Sequence, residues 1–379
     1  MPASEPLRRS EPYFGLAFAT LAAVAAFAVA YQGERVKPEP EGGKPPTLGP
    51  TGPEPVAVHR TRALQPGRGR EAVSPLQIPW RGWKDILWRT YEEIQNDRLL
   101  ALAAGVVFYS LLALFPAVTA GVSLYGLFAD MRALAGHLTL GANILPGGAI
   151  EIIGDQIARI VSRGEVSLTF SFVFGLGFAL WSANAGMKAI FDALNIINDE
   201  EEKRSFIRLN AVSLFFTVCA IGLALLMVSG VIVVPAVLAR FGIGSADEQL
   251  LAYGRWPVMF IVTLLAFSVL YRFGPSRRDA KWRWLSVGSI VGAVVWMMMS
   301  AAFSFYVAHF GNYNATYGSL GAVIGLMMWM WLSTIVVLAG AELNSEIEHQ
   351  TAEDSTIGRS KPLGVRGAVM ADTIGAAKG

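Results

Sequence analysis

Along this chain, apolar positions gather in long blocks and do not follow the two-residue alternation of a half-buried strand. Seven blocks approach the length of a membrane crossing, at approximately 14–31, 99–121, 168–190, 211–235, 257–273, 285–307 and 318–341. A bilayer core of about 30 Å needs roughly 20 apolar residues per helix, so each block predicts one span. Spanning segments must satisfy their own backbone polar groups, which selects helices. The pattern therefore predicts an all-α, polytopic transmembrane helical bundle with six core spans plus an extra N-terminal span. Pro116 falls near the outer end of the second block and is expected to kink it.

Between the blocks, two stretches carry a helical period of their own. In PWRGWKDILWRTYEEIQNDR, Trp80, Trp83, Leu87, Tyr91 and Ile94 recur at helical spacing, while Arg81, Asp85, Arg89 and Glu92 fall on the other side. This predicts an amphipathic helix lying in the membrane interface and anchored there by its tryptophans, with recognition of anionic lipid by Arg81, Lys84 and Arg89 as the alternative. In the longest connection, 122–167, Ile150, Ile153, Ile157 and Ile160 oppose Glu151, Asp155 and Arg159 and predict a second interfacial helix. Residues 33–79 hold 10 of the 19 prolines and almost no aromatic residues, the signature of a flexible linker. The domain organisation reads as a membrane anchor or signal-like segment at 1–32, a Pro/Gly-rich disordered linker at 33–79, a six-helix membrane domain at 80–348 and a disordered cytoplasmic tail at 349–379.

Composition places the chain among membrane proteins: 53% of residues are hydrophobic and 16% charged, with a mean hydropathy of +0.45. The net charge of +2 gives no basis for a nucleic-acid partner. Where the charges stand is more informative. With the 32–98 connection in the cytoplasm, 24 of the 31 lysines and arginines fall on the cytoplasmic side, which predicts a multi-pass membrane protein with a cytoplasmic C-terminus. Ala28-Val29-Ala30 looks like a signal-peptidase site, but cleavage there would put the arginine-rich linker outside and break this asymmetry, which favours an uncleaved anchor.

Polar residues inside or at the ends of spans are the functional pointers, because a charge at mid-bilayer costs about 2.5 kcal/mol or more. Asn184, Lys188 and Asp192 share one helical face near a cytoplasmic end, and Lys188 can pair with Asp192. With Asn195, Arg208, Glu342 and Asn344 they are the candidates for a substrate path or polar core. On the outer side, Asn312, Tyr313, Asn314 and Tyr317 form a short hairpin before the last block. Gly318, Gly321, Ala322 and Gly325 in that block predict tight helix packing. The run NDEEEKRSF reads as a solvated loop, not a metal site. Four scattered histidines and a single cysteine, Cys219, supply no catalytic constellation, no metal set and no cofactor motif.

The segments NDRLLALAAGVVFYSLLALFP, ANAGMKAIFDALNIINDEEEKRSFIRLNA and LYRFGPSRRDAKWRW resemble the YihY/BrkB family of bacterial inner-membrane proteins. So does VVWMMMSAAFSFYVAHFGNYNATYGSLGAVIGLMMWMWLSTIVVLAGAELNSEIE, of which YNATYGSLGA and LAGAELN are the most specific pieces. The similarity covers about 97–348. It implies six spans with cytoplasmic ends, in agreement with the charge asymmetry, whereas the first block and the linker depart from the family pattern. Members were once labelled ribonuclease BN, and one branch is called a virulence factor for serum resistance. The resemblance fixes a family and not an activity; the function expected of the chain is a transporter, exporter or lipid-handling protein of the envelope, with a non-catalytic scaffold or serum-resistance factor as the alternative and a ribonuclease as the weakest reading. Membrane lipids and a small-molecule or lipid substrate are the expected partners, and a homo-oligomer is compatible with this reading.

Overall fold

The computed structural model describes residues 56–112, 165–240, 245–310 and 319–378. Its helices are α1 (Val56–Ala63), α2 (Trp80–Asn96), α3 (Leu99–Leu112), α4 (Glu165–Ile197), α5 (Phe206–Arg240), α6 (Ser245–Phe273), α7 (Trp282–Phe310), α8 (Ser319–His349) and α9 (Val369–Asp372). Among the described residues the only extended pairing is an isolated bridge between Ala280 and Thr356. Four of these helices are long and apolar enough to cross a membrane, over Phe206–Leu223, Trp256–Phe273, Trp282–Val307 and Val323–His349, and α3 is a shorter apolar helix. The N-terminal block, the second interfacial helix and the outer hairpin of Asn312, Tyr313, Asn314 and Tyr317 lie outside the described residues.

α8 is the axis of the bundle. It packs against α7, α2, α4 and α9, while α6 packs on α7 and α5 on α4. The closest approach is between α7 and α8, where a Cβ placed on Gly288 would come within 2.1 Å of the Gly340 carbonyl oxygen. At the start of α8, Gly325 makes no close contact, since a Cβ placed on it would meet nothing within 4 Å. Tyr271 of α6 joins the same crossing by donating to the Val337 carbonyl at 2.7 Å. Trp329 donates to Ser300 of α7 at 3.2 Å, and Trp331 donates to the Leu100 carbonyl of α3 at 3.0 Å. Outward positions are apolar as well: Val173, Phe174, Phe215, Val218, Leu265 and Met298 are all exposed. A surface of this kind is stable against lipid and not against water.

At one end of the bundle, residues 56–79 of the stretch read from sequence as a flexible linker and the stretch read as a disordered tail come together in a cap. The Ala352 amide donates to the Arg70 carbonyl at 2.7 Å, and the Thr351 hydroxyl donates to the Ala72 carbonyl at 2.7 Å. The Arg70 guanidinium, 2% exposed, donates to the Gln350 carbonyl at 3.1 Å and the Gly375 carbonyl at 2.8 Å. Burial, with Arg89 close by, pulls its pKa down to about 10. The reason for order is specific pairing: low apolar content denies these segments a core of their own, but their arginines and backbone amides find partners on the helix ends.

The cap also fixes which helix ends share a side. Lys203 N donates to Ser276 Oγ at 2.9 Å, joining the α4–α5 and α6–α7 connections. Arg277 donates to Glu348 at the end of α8, and Val369 N donates to Glu200 at 2.8 Å. Residues 68–79, 198–205, 274–281 and 350–376 therefore stand on one face of the membrane. Reporter fusions placed after residues 60, 203 and 278 are expected to give the same compartment, the cytoplasm, and fusions near 140 and 313 the opposite one. Periplasmic reporter activity at position 60 would overturn this arrangement.

Candidate functional site

The sequence-derived candidates fall into three groups by the contacts they make. The first is a polar seam between α4 and α5. Ser213 donates to Asn184 Oδ1, and Asn184 Nδ2 donates to Asn210 Oδ1 at 3.3 Å. Lys188 Nζ donates to the same Asn210 oxygen at 2.6 Å. Lys188 thus has a neutral acceptor on the next helix, and Asp192, four residues on, is exposed on the same helix. Thr217, fully buried, extends the seam one turn deeper by donating to the Ser213 carbonyl at 2.9 Å.

Asn195 and Asn344 are structural pins. Asn195 accepts from Ser276 N at 2.6 Å and donates to Glu202 at 3.1 Å, so one side chain ties two connections together. Asn344 Oδ1 accepts from Gly288 N at 2.8 Å, which holds the α7–α8 crossing. Arg208 is exposed at the start of α5. The acidic run is likewise not the solvated loop expected of it. Glu200 pairs with Lys203 at 2.5 Å, and Glu202 pairs with Arg204 at 2.8 Å. Asp199 sits at φ 53°, because Glu200 N bonds to the Asn195 carbonyl and Asp199 N to the Ile196 carbonyl. That is the left-handed ending of a helix, usually taken by glycine and tolerated by aspartate.

Glu342 belongs to the third place, a carboxylate cluster at the cap end of α8. It is 1% exposed, and neither carboxylate oxygen has a hydrogen-bond partner. Asp97, Glu346, Glu93 and Asp199 lie in electrostatic reach of it. Glu346, one turn further on the same face, is neutralised by Arg89 at 2.5 Å and flanked by His349 at 3.5 Å. Asp97, half-buried between α2 and α3, has its pKa raised to about 7 by burial and then by the charges of Glu93, Asp199 and Glu346. Burial raises Glu93 as well, opposed by the hydrogen bond from Asn96. Sequence reasoning found Glu342 but missed Asp97, Glu93 and Glu346. The spacing of Glu342 and Glu346 by four was a legible signal for one of them.

α2 carries its polarity inside out. Asp85 is fully buried and accepts from Arg68 at 2.7 Å and from the Lys378 amide at 2.9 Å. Burial pushes its carboxyl up, but the Arg68 hydrogen bond holds it below the usual range. Arg89 is buried too, while Trp80, Leu87, Trp88 and Tyr91 are exposed. Lys84 and Lys378 border this apolar face. The charged side therefore binds the protein and the apolar side faces outward, as a helix in a membrane interface would.

The virulence factor BrkB family model matches residues 90–363. A Bacillus subtilis protein named ribonuclease-like protein YfkH is 35% identical over 184 residues, covering 45% of this chain and 64% of that protein. The chain thus matches under two thirds of that relative's length. A UPF0761 membrane protein of Pseudoalteromonas atlantica is 27% identical over 69% of this chain and 85% of its own. Another, from Idiomarina loihiensis, is 24% identical over 70% of this chain and 95% of its own. No solved structure matches the chain.

Proposed function

The chain belongs to the virulence factor BrkB family, and from that premise we propose that it is a transporter, exporter or lipid-handling protein of the bacterial inner membrane. On this reading it crosses the bilayer six times, with the cap and the C-terminus in the cytoplasm, where the excess of lysine and arginine belongs. Residues 14–31 add an N-terminal anchor. On this reading it is not an enzyme, which the engagement of Glu200 by Lys203 and of Glu202 by Arg204 supports.

The observation that carries this reading is the polar seam of Asn184, Lys188, Asn210 and Ser213 between two apolar helices. Four polar side chains at a helix contact are expensive in a bilayer unless they serve a path or a partner. A second reading, a non-catalytic envelope scaffold, is favoured by the ion pairs that lock the cap.

Lys188→Met distinguishes the two, because it keeps most of the apolar stem of the side chain and removes the charged donor to Asn210. Complementation of a deletion strain, scored by envelope permeability to a hydrophobic dye, is expected to fail at unchanged membrane abundance. Full complementation at normal abundance would overturn the path reading and leave the scaffold.

A further inference from the structure

We propose that Glu342 is a proton-binding carboxyl at the cap end of the bundle, exchanging its proton with the aqueous side by way of Asp97 and Glu93. This deepens the transport reading by naming the coupled ion, although its chemistry stands on separate residues.

Glu342 is 1% exposed and has no hydrogen-bond partner on either oxygen. An ionised carboxylate in that position costs several kcal/mol, and a bound proton removes the cost. The groups facing it come from every neighbouring element in reach: Glu93 from α2, Asp97 from the α2–α3 junction, Asp199 from the end of α4, and Glu346 on α8 itself. Two basic groups stand nearby. Arg89 is committed to Glu346 and His349 also contacts Glu346, so neither hydrogen-bonds Glu342.

A larger cation would need several oxygens converging, and among the described residues no three His, Cys, Asp or Glu converge closely enough to hold a metal ion. A proton needs one. Asp97 and Glu93 are only half-buried, so they bridge the closed carboxyl and the outside, and Asp97 titrates at about 7. A relay works best when its members exchange near the ambient pH.

The test is infrared spectroscopy of the purified full-length protein in liposomes, recorded across a pH series. Wild type is expected to show, above the pH at which Asp97 has lost its proton, a protonated-carboxyl band that is lost on raising the pH further and is missing from Glu342→Gln. Asp97→Asn removes one negative neighbour, so the midpoint of that band is expected to fall by about half a pH unit or more. Absence of the band in wild type, its persistence in Glu342→Gln, or a midpoint indifferent to Asp97→Asn would each overturn the proposal. If Glu342→Gln loses its melting transition in detergent, the Asp97→Asn shift alone decides. The outcome is independent of Lys188→Met, so failure of the transport reading and failure of this one are separable.

Discussion

Replacing Arg89 with alanine is expected to destabilise the protein by about 3 to 5 kcal/mol, the cost of leaving one member of a buried ion pair behind. Arg89 donates to the Glu346 carboxylate at 2.5 Å, to the Glu346 carbonyl at 3.2 Å, to Gln350 at 2.9 Å and to the Ala376 carbonyl at 3.0 Å. The stranded Glu346 side chain is only 2% exposed, so water cannot replace what is lost. Membrane abundance and the melting temperature in detergent should both drop sharply. Arg89→Lys should fall between the two, since an ammonium keeps the charge but cannot reach four acceptors with a planar fork. The double change Arg89→Met with Glu346→Gln should recover a large part of the loss. A single alanine variant that melts like wild type would show that the pair contributes little.

Gly288→Val should have a comparable effect for a different reason, about 3 kcal/mol or more from overpacking a closed helix crossing. A Cβ at that position would lie 2.1 Å from the Gly340 carbonyl oxygen and 2.5 Å from Asn344 Cγ. Relief requires α7 and α8 to separate, which also breaks the bond from Gly288 N to Asn344. Gly325→Ala is the matched control on α8, because nothing lies within 4 Å of its new Cβ. Its melting temperature should stay within about 1 kcal/mol of wild type in equivalent stability. Equal melting of the two variants would refute the claim that the crossing at Gly288 is the close one.

Helix type and position were legible in the sequence because long apolar blocks report directly on the solvent they face. α5 to α8 fall on the predicted blocks, and α2 falls on the predicted amphipathic stretch. The cap was not legible. Its partners are far apart in the chain: Arg89 and Glu346 are separated by 257 residues, and Arg70 and Gly375 by 305. Composition rules score each segment alone, so a proline-rich linker and a polar tail both read as disordered. The same limit explains Lys188, whose acceptor Asn210 lies across a helix connection, 22 residues on. Asn184 and Glu342 could be flagged as polar groups in apolar surroundings, but which neighbours complete each one is a property of packing.

The folded cap has a consequence for the order in which the protein is made. Arg70 and Arg89 leave the ribosome well before Glu346, Gln350, Gly375 and Ala376, which lie more than 250 residues further along the chain. Until then the arginines have no buried partner, and the ends of α4, α6 and α8 are held by helix packing alone.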